Sequence, residues 1–381
     1  MAAAGVLALA WAGPITLRVI QDFDFPFHLA TAESFAANGE ITVPHFLFQV
    51  ALGGLYATGA FPSIESAALL FLCTLHVATA AIICWFIARG SRGPGALAAS
   101  AVLAVLVLMS GPILAGAVDF NSYLIGYFPP NAYHNPTMIL AKPLLLSLLA
   151  AVMVVTRTSI PNARELVMLS LPVGILGLAK PNYIGCLVPV IVLTAVSRWR
   201  SGQPISWQRV TAFCGAGVGV VAGILVLYGT LSDAGSGIQF APFAVLELHQ
   251  AVNPVTIVAM LLASIAFPLA AVALWPRAIW RDMPSRLALT ALPIALLISY
   301  GLAEAGDRMG DGNFLWTGQM AVFVAFVTTA AFARVQLSSR PTWSSVLKGG
   351  ALAGVLALHV DGGIRHALLN VPQDYWLTWW K

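Results

Sequence analysis

Apolar runs of roughly 17 to 25 residues recur along the whole chain, separated by short polar stretches, and each run is long enough to cross about 30 Å of hydrocarbon as a helix. They fall near residues 1–19, 64–88, 95–117, 136–156, 165–180, 183–197, 210–229, 253–275, 286–303, 314–333 and 348–360. The pattern predicts an all-α polytopic transmembrane bundle of about eleven helices. A closed β-barrel would show ten-residue alternation instead, whereas stretches such as ALAASAVLAVLVLMSGPILAGAV are continuously apolar. The pair 165–180 and 183–197, joined by Lys180-Pro181-Asn182, reads either as two crossings or as one re-entrant hairpin.

Composition agrees. Of 381 residues, 59% are hydrophobic and only 9% charged, against about 25% charged in an ordinary soluble domain. The whole chain, 1–381, is expected to be one transmembrane domain. Its start has no Lys or Arg ahead of the apolar run, unlike a secretory signal peptide, and reads as a retained first helix. The four cysteines lie inside apolar runs, which suggests neither a disulfide framework nor a CxxC metal site.

Charge orients the bundle. One set of alternate loops, from Arg89 to Lys348, holds 13 of the 19 basic residues and only two of the 15 acids, Glu165 and Asp282. The positive-inside rule makes those loops cytoplasmic. The N-terminus is then cytoplasmic, and the loops near 20–63, 118–135, 230–252, 304–313 and 361–381 face outward. The cytoplasmic loops are short and basic, with no GxxxxGK[ST] or GxGxxG in a strand-to-helix setting. Chemistry driven by cytosolic ATP is disfavoured, and no nucleic-acid partner is expected.

The first outer loop, residues 20–63, begins QDFDFPFHLATAESFAANG, with Asp22 and Asp24 just beyond the first helix. The segment after Pro26 has an amphipathic helical pattern (Phe27, Leu29, Ala30, Phe35), and Asn38-Gly39 supplies a C-cap. A later apolar run, FLFQVALGGLY, predicts a second interfacial helix rather than a crossing. Ordinary solvated loop acids would not need such scaffolding.

An acidic-x-Asp pair opening the first outer loop directly after helix one resembles the C-type superfamily of membrane glycosyltransferases. Asp22-Phe23-Asp24-Phe25-Pro26-Phe27-His28 is similar to the acidic motif of oligosaccharyltransferase catalytic subunits, and AESFAANG to their following helix and turn. The likeness covers about the first 60 residues and otherwise only helix number and orientation; there is no WWD-type motif and no large C-terminal soluble domain, so protein N-glycosylation is not implied. The resemblance implies an inverting glycosyltransferase of the cell envelope, in a bacterium of the inner membrane. Its site would face the extracytoplasmic side and take sugar from a polyprenyl-phosphate-linked donor to a glycan or lipid acceptor. Asp24 would be the general base, with Asp22 positioning the acceptor or joining Asp24 in binding Mg²⁺ or Mn²⁺.

Other outer residues suit the same chemistry. Tyr133, His134 and Asn135 offer a ring and hydrogen-bonding groups to a sugar. Lys142, about two turns into a helix, carries a charge that costs at least about 2.5 kcal/mol on insertion scales. Lys180 and Arg308 are further candidates for a donor phosphate; His28, within the acidic motif segment, and His45, which after Pro44 resembles the acceptor-side end of the first loop in that superfamily, are candidates for substrate binding. A transporter or flippase for a lipid-linked or anionic solute is the alternative, since Lys142, Lys180 and the interspersed Pro and Gly residues would serve it without chemistry at Asp24.

Overall fold

The computed structural model of the protein describes all residues except 44–45, 90–92, 115–125, 156–160, 232–236, 250–252, 340–341 and 371–381. His45, Asp119, Asn121, Tyr123 and the Trp-rich C-terminus therefore lie outside the described residues, as does the side chain of Arg308.

Among the described residues there are fourteen α-helices: α1 Ala2–Val19, α2 Phe25–Asn38, α3 Leu47–Tyr56, α4 Ile64–Ala88, α5 Pro94–Met109, α6 Pro136–Val155, α7 Ala163–Ala179, α8 Asn182–Arg200, α9 Trp207–Leu231, α10 Ala244–His249, α11 Pro254–Leu274, α12 Met283–Gly301, α13 Leu315–Ser339 and α14 Trp343–Asn370. Nine of them (α1, α4, α6, α8, α9, α11, α12, α13 and α14) are long and apolar enough to cross a membrane. The protein is a polytopic helical membrane bundle. Helix starts follow local chemistry: the side chains of Ser63, Asn162, Asn253 and Asp282 each accept the backbone N–H three residues on, satisfying a donor that the helix leaves orphaned.

Packing runs α1 on α4, α4 on α5 and α6, α6 on α7, α7 on α9, and α12 on α13. Helix α13 is the central element, with Met320 to Val327 buried without a break. Helices α7 and α8 pack mainly on other neighbours, α7 on α6 and α9 and α8 on α9 and α12.

The first loop folds onto one end of the bundle as α2 and α3. Ten residues of α3 extend only about 15 Å, half of a hydrocarbon core, so the helix cannot span. Gly39 caps α2 in the left-handed conformation at φ 71°, its N–H bonding Phe35 O at 2.8 Å. The buried stripe of α2 is Phe25, His28, Leu29 and Ala32, which joins Phe48 and Leu52 of α3 and Ile64, Ala67 and Leu72 of α4. That register differs from the amphipathic pattern expected after Pro26. The helix begins at Phe25, and Phe27 and Ala30 point outward.

Helix α5 also differs from expectation. The apolar run continues to about residue 117, but the helix ends at Met109 and residues 110–114 are non-helical. Pro112 cannot donate, and Gly111 disfavours helix. Backbone freed inside an apolar bundle must be met by other groups of the protein, and here it is. Gly111 N–H bonds His359 O at 2.8 Å and Ile113 N–H bonds Ala263 O at 2.9 Å. His359 in α14 accepts the Phe267 N–H at Nε2 (3.2 Å) and donates from Nδ1 to Gly111 O (2.6 Å). Gly362 and Gly363 let α14 lie against Pro112 O and Met109 O, where a Cβ would overlap those oxygens.

Two short strands, β1 Ile238–Phe240 and β2 Leu302–Glu304, form an antiparallel ribbon with Ile238 opposite Glu304 and Phe240 opposite Leu302. A 3₁₀ turn, Gly306–Asp311, follows and leads into α13. The ribbon gathers at the same end of the bundle as α2 and the start of α6.

Candidate functional site

Asp24 stands at the N-terminus of α2, where Pro26 occupies the first turn. Phe23 before it holds φ 58°, a conformation that bulky L-residues rarely adopt. That local turn sends neighbouring side chains in different directions. Asp22 lies half-exposed and pairs with Arg18, one helical turn back, at 3.1 Å. Asp24 turns inward, and its Oδ2 accepts a hydrogen bond from Asn135 Nδ2 at 2.7 Å.

Asn135 reaches that carboxylate because it opens α6. Its Oδ1 accepts the Met138 N–H (3.1 Å) and the Thr137 hydroxyl (2.6 Å), an N-cap with Pro136 as the first helical residue. With the oxygen committed to the helix, only the NH₂ is available to Asp24. Burial raises the Asp24 pKa above the ordinary carboxylate value; the Asn135 bond and the charge of Lys180 oppose the rise, and Asp311 adds to it.

Aromatic rings surround this carboxylate. His134 is buried, lies tilted on Trp316 with centroids 5.2 Å apart, and meets Phe23 edge-on at 6.1 Å. Lys180, in the α7–α8 link, is buried with its Nζ 5.2 Å from the Trp316 ring centre. Glu304 at the end of β2 accepts from Asn313 Nδ2 at 2.7 Å, and Asn182 Nδ2 bonds Asn313 O at 2.6 Å. Glu304 and Asp24 both lie within electrostatic range of Lys180. Residues 24, 134–135, 180–182, 304, 311–313 and 316, from four separate parts of the chain, thus meet at one end of the bundle.

Burial pushes His134 down to about 3, with His366, Lys180 and Lys142 adding to the effect. His28 is likewise pushed to about 3, by burial first and then by Lys180. It faces α3, with Nδ1 2.8 Å from Gln49 Nε2 and edge contacts to Phe27 and Phe48, and so braces the two loop helices. Tyr133 points into the bundle. Its hydroxyl accepts from Trp11 Nε1 (2.9 Å) and donates to Leu108 O (2.6 Å).

Lys142 is buried deeper. Its Nζ donates to Asn131 Oδ1 at 3.1 Å and lies over the Tyr133 and Phe323 rings at 5.1 and 5.7 Å. Asn131 passes the contact on, donating to Val107 O (2.7 Å) and Ser110 O (3.1 Å) at the broken end of α5. Lys142 thereby holds the segment that delivers His134 and Asn135.

Trp316 and the capping role of Asn135 were not anticipated from sequence. An Asn-Pro-Thr start to an apolar run is a helix-start signal and marks Asn135 as a cap, though not as the partner of Asp24. As for Mg²⁺ or Mn²⁺, Asp22 is engaged by Arg18, and among the described residues no three His, Cys, Asp or Glu converge as ligands.

Compared with known proteins, the chain matches no family model and no curated sequence.

Proposed function

We propose that the protein is a membrane glycosyltransferase that moves a sugar from a polyprenyl-phosphate-linked donor to a hydroxyl of a glycan or lipid acceptor at the outer face. The observation that carries this reading is the environment of Asp24, a carboxylate withdrawn from water yet oriented by Asn135 and set within electrostatic range of the Lys180 ammonium. A raised carboxylate pKa brings a base nearer to working pH. Asp24 would take the proton of the acceptor hydroxyl as its oxygen bonds to the anomeric carbon. The bond from that carbon to the phosphate oxygen breaks, its electron pair leaves with the phosphate, and Lys180 stabilises the new charge. His134 and Trp316, both uncharged, offer rings to the apolar face of a sugar.

Transport is favoured by one feature, the interruption of α5 at membrane depth, since broken helices line many transporter sites. Its freed N–H groups at Gly111 and Ile113, and the Gly111 carbonyl, are taken up by α14 and α11. That disposition suits a closed structural joint better than a solute path.

The test uses the purified protein in nanodiscs with a panel of polyprenyl-phosphate sugars, following release of polyprenyl phosphate. Asp24→Asn should lower turnover by about 10²- to 10⁴-fold, the range of a lost general base. Turnover at the wild-type rate in a folded Asp24→Asn protein would refute the assignment.

A further inference from the structure

The β1–β2 ribbon carries side chains that a water-exposed hairpin does not need. On β1, Phe240 is 80% exposed and Ile238 52%, and just after it Phe243 is 41% exposed. Clustered exposed apolar side chains mark an interaction surface. Two observations fix where this one lies. First, the ribbon is bonded to the end of a membrane span: Ala241 N–H donates to Gly301 O (2.9 Å) and Phe243 N–H to Tyr300 O (2.7 Å), taking up the last carbonyls of α12. Phe243 adopts φ 61° in making its bond, and its ring stacks tilted on Tyr300 at 5.4 Å. Gly301 has no side chain, so the Phe240 ring lies directly over the helix end. Second, Leu297, one turn earlier on α12, is 74% exposed on a helix that spans the bilayer, and the apolar surface of the ribbon continues that belt.

We infer that the ribbon is a membrane-interface element whose Phe240–Ile238 row is seated in the lipid of the leaflet nearest the site. The backbone sets its depth. A two-stranded ribbon has backbone edges that no further strand covers, which hydrocarbon does not tolerate, so the ribbon lies at the headgroup boundary with the exposed Phe240 and Ile238 side chains directed into acyl chains. Cross-strand partners share a face, so Ile238 stands beside Glu304, the buried carboxylate bonded to Asn313. Bilayer lipid therefore reaches the rim of the cluster around Asp24 along this ribbon, whatever reaction that cluster performs.

The test places a nitroxide at Phe240→Cys, in a background with Cys73, Cys84, Cys186 and Cys214 replaced, in nanodiscs of phosphatidylethanolamine and phosphatidylglycerol. Labels at Leu297→Cys and Glu40→Cys serve as lipid and water standards. At position 240, collision with oxygen should exceed collision with a soluble nickel chelate, giving a ratio close to that at 297. Benzoylphenylalanine at 240 in the otherwise native chain is the second measurement, and it should add the mass of a phospholipid on irradiation. A water-like ratio at 240 would overturn the inference. So would exclusion of both colliders with crosslinking to protein, which would mean that residues 371–381 or a second copy cover the patch.

Discussion

Asn135 caps α6 with its side-chain oxygen and holds the Asp24 carboxylate with its nitrogen at 2.7 Å. One amide therefore ties the acidic loop to a membrane helix, and its two ends cannot be exchanged without losing both bonds. This linkage makes the behaviour of Asp24 testable without knowledge of the substrate.

Replacing Asp24 with Asn should lower turnover steeply without lowering stability. Its raised pKa means that the folded environment disfavours the ionised form on balance. The sign follows by linkage: the folded state binds the proton more tightly than the unfolded one, so ionisation costs stability above the folded pKa, and that cost vanishes below the unfolded value. An amide avoids it and can still accept from Asn135. Thermal unfolding in detergent at neutral pH should give a Tm for Asp24→Asn at or above wild type, and a marked fall would make Asp24 a structural ion-pair partner instead.

Asn135→Asp keeps a capping oxygen but sets one carboxylate against another. Like charge further disfavours ionisation of Asp24, so the acid limb of the pH–activity profile should move to higher pH by about one unit or more. Asn135→Ala should instead cost about 1 kcal/mol through loss of the cap. A profile that Asn135→Asp leaves in place would show that the titrating group is not Asp24.

His134 supplies the complementary expectation. Held near 3 by burial first and by nearby His366, Lys180 and Lys142, it stays neutral wherever the protein is folded and active. His134→Gln should leave the position of the acid limb unchanged while weakening substrate binding, seen as a higher KM. Movement of the limb would assign it to the imidazole.

The two buried lysines should separate. Removing Lys180 by Lys180→Met takes a cation from beside Asp24 and should cost about 10²-fold or more in turnover, the scale of one lost charge-stabilising group. Lys142→Met loses a charged hydrogen bond of about 1.5 to 3 kcal/mol but also relieves an intramembrane charge of about 2.5 to 3.5 kcal/mol. The buried Asn131 oxygen left without its donor adds to the loss, so the variant's Tm should fall, while turnover should fall less than in Lys180→Met because the cation beside Asp24 remains. Equal losses of activity in the two variants would mean that both ammonium groups meet the substrate.

Much of the fold was legible because hydropathy reports burial in lipid directly. Each of the eleven expected segments contains a helix, though only nine of these are long and apolar enough to cross a membrane and the one expected at 95–117 stops at Met109; the Gly39 cap and the short α3 follow from local chemistry. The failures are instructive. The run through residues 110–114 is apolar enough to pass for helix, because transfer free energy does not register the donor that Pro112 lacks. What makes the break tolerable is His359, some 250 residues away, and no local pattern announces it. The candidate site shows the same limit. Asp24 and Lys180 stood out as charges in unusual places, but the Asn135 contact spans 111 residues, and Trp316 carries no local signal that sets it apart from the apolar run it opens. Side chains that act by meeting distant partners carry little signal until the helices are packed.

The last prediction concerns that joint. His359 is fully buried, donates to Gly111 O and accepts from Phe267 N–H, which requires the neutral ring with its proton on Nδ1. His359→Leu fills similar space but leaves one carbonyl and one N–H without partners in a medium that offers none. Each such orphan costs about 1 to 3 kcal/mol, so a loss of about 2 to 6 kcal/mol is expected, a large fraction of the total stability. Gly363→Ala should be comparably harmful by a steric route, since its Cβ would overlap Met109 O and push α14 off α5. Gly350→Ala is the control: it lies on the same helix with nothing near its Cβ position and should leave Tm unchanged. Thermal unfolding of the three variants in one detergent decides the matter. If His359→Leu and Gly363→Ala unfold with the wild type, the joint between α5, α11 and α14 is not what holds the interrupted helix in place.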